Sequence, residues 1–380
     1  GDTTNTFLVV PGLRFSEIVE IGNGGGSIAW VDAGGKLHVG PQSAGARPGP
    51  AAYGRGGARP TTTDANLLLG RIDPASFVGG EVEPDWRAVD AAFAPLCDQL
   101  GLSREELARG VIRIANANMT TALRLVSTNK GYDPRDFALM AFGGGGAMHA
   151  VALAEELKVP RVIIPVNSSV FSAWGMLLTD LRRDYIRTRL TPLAPGSIAA
   201  VRAIFAEIEA EALRDFAGEA GDRAPLFEYR ADLRYVGQEH TVGIAFPLDG
   251  DAPVETAIAA FHDAHEKRFT YRLDAAVQLV NFHLVATLPV DKPDLAERAV
   301  TGLTLADAVK GTRRVDFDTH GVHDATIYDG LRLEPGMALS GPAVIQEPAV
   351  TLPLPPGARA EVDRLGNYHV HLPQHEGARP

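Results

Sequence analysis

Hydrophobic and polar positions change their period several times along the chain. Short apolar runs open it, Thr6 to Val10, Glu17 to Ile21, Ile28 to Asp32 and Leu37 to Val39, separated by the turns Pro11-Gly12, Gly22 to Gly26 and Ala33 to Gly35. This alternation predicts an antiparallel meander or hairpin sheet. A strand at the very start leaves an edge that needs cover, so the chain reads as lacking an N-terminal part. Residues 41–63 are rich in Gly, Pro and Thr and read as a long ordered loop, a kind of segment that commonly carries function. A helical period then takes over at Asp85 to Leu100 and Ser103 to Ser127. In the second helix Leu107, Val111, Ile114, Met119, Ala122 and Val126 form one apolar stripe, and Ser103 with Glu106 forms a capping box.

From Asp136 the order is strand (Phe137 to Phe142), glycine turn (Gly143 to Gly146), helix (Ala147 to Leu157) and strand (Arg161 to Val166), which predicts a βαβ unit. The strand-like run Tyr185 to Leu190 reads as closing this first unit. Residues 198–217 carry Ile198, Val201, Ile204, Phe205, Ile208, Ala212 and Phe216 on one face, an amphipathic helix suited to bridge two domains. Beyond it, strand-like runs (Tyr229 to Val236, Thr241 to Phe246, Val277 to Leu288, Thr326 to Tyr328, Ala343 to Gln346, Ala360 to Val362) surround one helix, Val254 to Phe269. The expected organisation is an α/β core over residues 1–190, a helical connector over 191–226 and a β-rich C-terminal domain over 227–380.

Composition narrows the function. A chain of 380 residues, 45% hydrophobic and 22% charged, is a globular protein with room for two cores. Its formal charge of −11 disfavours a grip on nucleic-acid phosphates. The apolar stretch Val159 to Val166 is far shorter than the roughly 20 residues a membrane span needs. With no export signal at Gly1-Asp2-Thr3-Thr4, a soluble, cytoplasmic protein is expected. The single cysteine, Cys97, excludes an internal disulfide and reads as a buried thiol.

The strongest chemical signal is Phe142-Gly143-Gly144-Gly145-Gly146-Ala147-Met148-His149. Four glycines between strand and helix let backbone approach a ligand, and the helix start offers free N–H groups to an anion. A nucleotide is the natural occupant, a simple tight turn the alternative. The run Gly22-Asn23-Gly24-Gly25-Gly26-Ser27 is either an anion-binding nest or a loose hairpin. No P-loop or dinucleotide fingerprint is present. His149, near a bound nucleotide, could ligate a metal, donate to a phosphate or simply cap packing, and packing is the favoured role. His262 and His265, one turn apart on a helix beside Glu266, are spaced for a metal but lack an identifiable distant ligand, which favours a polar helix face.

Together, Gly24 to Asp32, Val39 to Ala46, Pro48-Gly49-Pro50, Tyr53 to Gly57, Thr63 to Asn66, Gly131 to Phe137, Gly143 to His149 and Phe171 to Gly175 resemble the hydantoinase/oxoprolinase family, specifically its A-type subunit. Arg234 to Gln238, Ala264-His265-Glu266, Ser340 to Ile345 and Pro355-Pro356-Gly357 extend the similarity through the second half. The resemblance implies an actin-like (ASKHA) nucleotidase half-core, with ATP and Mg²⁺ as cofactors and a B-type subunit as partner. By that analogy Gly143, Gly144, Gly145 and Gly146 form the adenosine-side turn, Thr3 and Thr4 a remnant of a phosphate hairpin, and Gly24, Gly25 and Gly26 a further nucleotide contact. It also implies ATP-dependent opening of a cyclic amide, with ATP-dependent ketone carboxylation or a non-catalytic scaffold role as alternatives. Three departures bear on this. Arg47 and Ala52 stand where the family's loop usually carries an acid and a cysteine, which affects any polar or second divalent-metal site built with Asp64 or His149. Asp2 replaces a glycine of the hairpin, and Asn5 or Thr6 stands near its acid.

Overall fold

The computed structural model describes residues 18–80, 82–250 and 252–373; Thr3, Thr4, the run Thr6 to Val10 and the Pro11-Gly12 turn lie outside them. The described chain mixes helices with several sheets and separates into two compact units. One is continuous, residues 176–293; the other joins two segments, 18–175 and 294–373.

The first segment opens with the antiparallel hairpin β1 (Ser27–Val31) and β2 (Leu37–Ser43), in which Trp30 lies opposite His38. Asp32 closes its turn by accepting hydrogen bonds from the N–H groups of Gly34 and Lys36. Helix α1 (Thr62–Leu68) follows, then α2 (Trp86–Leu100), capped by the Asp85 side chain, and α3 (Arg104–Val126), started by the expected Ser103–Glu106 capping box. In α3, Leu107 and Val111 are buried as the stripe predicts, but farther along the buried positions are Ile112, Ala115 and Thr120. The helix there packs beside β2 and a later helix as well as α1, so several neighbours rather than one apolar stripe choose its inner face. Ala65, Leu67, Val89, Phe93, Leu107 and Val111 knit these helices into one core.

The predicted βαβ unit is present: β3 (Ala138–Met140) and β4 (Arg161–Ile164) are parallel and joined by α4 (Gly146–Leu157). Helix α5 (Phe171–Leu177) comes next.

The continuous unit contains β5 (Leu181–Leu193), α6 (Ile198–Ala220), β6 (Leu226–Tyr235), β7 (Val242–Ala245), α7 (Pro253–Phe269) and β8 (Val277–Leu288). Its strands form one antiparallel sheet in the order β5-β8-β6-β7. Helix α6 contributes Val201, Phe205, Ile208 and Phe216 to a core completed by Phe261 of α7 and Leu233, Phe282 and Leu284 of the sheet. The run Tyr185 to Leu190, expected to close the first unit, belongs to β5 and pairs with β8 from Leu181 opposite Leu288 to Leu193 opposite Val277. A long hydrogen-bonded partner, supplied late in the sequence, decides its membership.

The second segment returns with β9 (Val309–Asp316), β10 (Val322–Asp329), β11 (Ala338–Ser340), β12 (Ala343–Glu347), β13 (Val350–Leu354), β14 (Arg359–Val362) and β15 (Tyr368–His371). They build two sheets, β13-β12-β10-β9 and β11-β14-β15-β4-β3. In the latter, β15 pairs antiparallel with β4, Tyr368 opposite Ile164. The strand-rich stretch from 227 onward is therefore divided between the units. Val151 and Ala154 of α4 pack into the core with Ile164, Leu352 and Val370. No described helix is long and apolar enough to cross a membrane.

Candidate functional site

The turn before β1 is held from two sides. Asn23 Nδ2 donates to the carbonyl of Ala115 on α3 at 2.8 Å, and the Gly25 carbonyl accepts from both the backbone N–H and the hydroxyl of Thr63 on α1. Gly24 N–H donates to Ser27 Oγ, which sets the sharp entry into the strand.

The second turn leaves β3 at Ala141. Gly143 has φ +87°, a left-handed conformation that a side chain would strain, and its N–H donates to the Ser168 carbonyl at 2.7 Å. A Cβ placed on Gly144 or Gly145 would meet no protein atom within 4 Å. Internal packing therefore does not demand glycine at these two positions; the free space lies on the side open to a ligand. Helix α4 begins at Gly146 without a side-chain cap, and the N–H groups of Gly146 and Met148 donate to the carbonyls of Gly143 and Gly145 in the turn.

Helix α3 ties the two turns together. Ala115 anchors the first, Asn116 holds His149 just past the second, and Met119, one helical turn from Ala115, faces the space between. The result is a cleft of about 750 Å³ lined by Asn23, Gly24, Gly25, Gly143 to Gly146 and His149, with Asn66, Asp73, Phe77, Gln346, Glu347 and Thr351 completing the wall. That volume suits a nucleotide-sized ligand.

His149 is buried, 8% exposed, with Nδ1 2.7 Å from Asn116 Oδ1. A carbonyl oxygen only accepts, so Nδ1 carries the proton and Nε2 is left as the acceptor. Burial, reinforced by the nearby Arg71 cation, lowers its pKa to about 4, so the ring is neutral at physiological pH. Asp73 accepts from Ala75 N–H and Ser76 Oγ and pairs with Arg313. Burial opposes its charge, but these partners and Gln346 together hold its pKa below the usual range. Glu347 accepts a 2.5 Å hydrogen bond from the Tyr368 hydroxyl.

Of the residues singled out in the sequence, the structure brings Gly24, Gly25, Gly143, Gly144, Gly145, Gly146 and His149 to this one cleft. Gly26 lies behind it against Ser43, and Thr3 and Thr4 fall outside the described residues. Asp64 is fully buried and spent on structure: its carboxylate accepts from the N–H groups of Ala51, Ala52 and Thr61 and from the Thr61 hydroxyl. Desolvation raises its pKa against the opposing pull of those donors. It organises the loop before α1 and does not line the cleft. His262 and His265 sit in the other unit, His262 Nδ1 hydrogen-bonded to the Tyr235 hydroxyl at 2.6 Å and His265 Nδ1 bonded to the Tyr271 carbonyl within an aromatic cluster. Among the described residues no group of three or more His, Cys, Asp or Glu could hold a metal. Asn66, Asp73, Gln346 and Glu347 escaped the sequence reading. Asn66 lies within the short α1 helix behind a glycine-rich loop and Asp73 follows it, and the other two arrive from the second segment.

The hydantoinase/oxoprolinase profile matches residues 9–185, and the hydantoinase/oxoprolinase C-terminal domain profile matches residues 196–372. The chain belongs to the hydantoinase/oxoprolinase family. Family relatives include an uncharacterised protein of Methanocaldococcus jannaschii, 37% identical over 94% of this chain and 51% of its own length. The caprolactamase alpha subunit of Pseudomonas jessenii is 34% identical over 94% of this chain and 53% of its own. Among solved structures of the family, nucleotide-free acetone carboxylase superposes with TM-score 0.82 at 27% identity, over 92% of this chain and 52% of that one. ATP-dependent caprolactamase superposes with TM-score 0.66. The chain thus spans about half the length of these family relatives.

Proposed function

We propose that this chain is the nucleotide-handling part of an ATP-dependent enzyme that opens a cyclic amide, built on an actin-like core and working with a B-type subunit. The observation that carries the reading is the convergence of two glycine turns and an uncapped helix start on one nucleotide-sized cleft. Sequence similarity to a caprolactamase subunit supports the amide as substrate.

An amide carbonyl is a poor electrophile. Moving the γ-phosphoryl group of ATP onto its oxygen makes the ring carbon reactive enough for water to add and the C–N bond to break, after which phosphate departs. Such transfer depends on positioning and charge neutralisation rather than on a nucleophilic side chain, and glycine turns supply positioning. The oxygen donors Asp73 and Glu347 fit a hydrated Mg²⁺ travelling with the nucleotide. When bound, that ion would neutralise polyphosphate charge. Neutral His149, its Nδ1 proton committed to Asn116, offers an acceptor at the cleft and no competing positive charge.

A second reading, a subunit of an ATP-dependent ketone carboxylase, draws on the higher TM-score with acetone carboxylase, 0.82 against 0.66. Turnover by the chain with its partner subunit separates them. ATP hydrolysis that needs a lactam or hydantoin and yields the ring-opened product supports the first; hydrolysis that needs bicarbonate and a ketone supports the second. Absence of both from an otherwise active complex sinks the catalytic reading.

A further inference from the structure

The five-stranded sheet β11-β14-β15-β4-β3 buries Val162, Ile164, Ala360, Val362 and Val370 in the core with α4, so the alternate residues of these strands face outward. One rung of that outer face lies where β3 begins, away from the glycine turn that follows β3. It places Arg359, His371 and Arg161 directly opposite one another on three neighbouring strands, with Ala138 of β3 next in line. Like charges facing each other across strands destabilise a sheet. Arg359 is relieved by Glu361, two residues along its own strand, at 2.7 Å. Among the described residues, Arg161 and His371 have no hydrogen-bond or ion-pair partner. The adjacent rung behaves differently: there His369, opposite Glu361, lies 3.0 Å from the Asp363 carboxylate.

The row is also recessed. Arg135, Asp136 and Phe137 before β3, together with Pro160 and Leu372, wall it into a cavity of about 780 Å³. Arg135 is committed to Asp133. Three arginines and a histidine line the cavity against two carboxylates, Asp136 and Glu361, in a chain whose formal charge is −11. A positive concavity on an acidic molecule concentrates anions.

We propose that this cavity binds a small dianion, a phosphate or a dicarboxylate, held between Arg161 and Arg359 over His371. Guanidinium groups match both oxyanions with paired hydrogen bonds. Neighbouring strands lie roughly 4.8 Å apart, so the backbones of the two arginines stand roughly 10 Å apart, within reach of one shared ligand. A dianion offsets both charges, a monoanion only one. The lining shares no residue with the glycine cleft, so the proposal and the nucleotide reading stand or fall separately.

Calorimetry and thermal unfolding of the full chain, in a zwitterionic buffer at fixed ionic strength, test this with inorganic phosphate, succinate, acetate and chloride. Phosphate or succinate should bind at least tenfold more tightly than acetate and raise the thermal midpoint, while chloride leaves it in place. Phosphate ahead of succinate assigns the cavity to phosphoryl compounds, and the reverse order assigns it to dicarboxylates. Arg161→Gln should weaken the better dianion at least tenfold, and His371→Gln at least threefold. Arg161 is exposed, so without dianion its variant should keep or raise the midpoint, because the opposed charge is gone. His369→Gln, on the same face but already paired, should retain wild-type affinity for the dianion. Equal responses to chloride and phosphate, binding undiminished in Arg161→Gln, or no dianion binding by the unmodified chain overturns the proposal. So does a midpoint lowered equally by Arg161→Gln with and without dianion, the signature of a side chain that serves packing alone.

Discussion

The glycine cleft and the His262–His265 cluster both carry candidate chemistry, and they differ in who satisfies their polar groups. In the histidine cluster the protein does so itself: the Tyr235 hydroxyl meets His262, the Tyr271 carbonyl meets His265, and rings fill the remaining space. In the cleft, space beside Gly144 and Gly145 is empty and His149 Nε2 is left as an acceptor. A constellation completed by its own fold is built for stability, whereas one left incomplete points to a ligand. Asp64, buried under four donors, falls on the completed side despite its suggestive place in the sequence.

The largest expected effect tests that last assignment. Asp64→Ala strips the acceptor from the N–H groups of Ala51, Ala52 and Thr61 and should cost about 4 kcal/mol in urea unfolding. A loss below about 1 kcal/mol would remove Asp64 from the structural class. His149 comes next. Its pKa of about 4 in the fold lies below the unfolded value near 6.5, so the unfolded chain binds the proton more readily. The corresponding stability is fully present above about pH 6.5 and is lost as pH falls toward 4, by up to about 3 kcal/mol. His149→Gln should flatten that part of the pH–stability curve, and an unchanged slope would show that His149 does not bury neutral.

Gly144→Val sharpens the comparison from the ligand side. No protein atom lies near its Cβ position, so the thermal midpoint should move little, while ATP affinity in the presence of Mg²⁺ should fall about a hundredfold, worth about 2.7 kcal/mol. Wild-type affinity in this variant would place the nucleotide elsewhere. The smallest effect belongs to His262→Ala, which removes one partner of the Tyr235 hydroxyl. It should cost about 1 kcal/mol of stability and leave ATP affinity untouched; a change in affinity would break the separation between the two regions.

The glycine turns were legible in the sequence as runs, but only Gly143, at φ +87°, holds a backbone that disfavours a side chain; Gly24, Gly25, Gly144 and Gly145 lie outside that left-handed region. The βαβ unit was legible because its period changes within one short stretch. Asn66, Gln346 and Glu347 were not, since an amide or carboxylate beside an apolar run looks the same whether it lines a cleft or faces solvent. The Tyr185 to Leu190 run was misplaced for a similar reason: alternation identifies a strand but does not name its partner.

The sequence by itself determined the local grammar of this protein: where strands give way to helices, which caps start α2 and α3, and which glycines must bend the chain. Those features follow from backbone sterics and from hydrogen bonds between residues a few positions apart. Only the tertiary structure decided that β15 lies on β4, that β5 pairs with β8, and that Gln346 faces the cleft built around α3. Those choices depend on which buried surfaces and unpaired strand edges complement one another across long stretches of chain, and neither periodicity nor spacing along one strand encodes them.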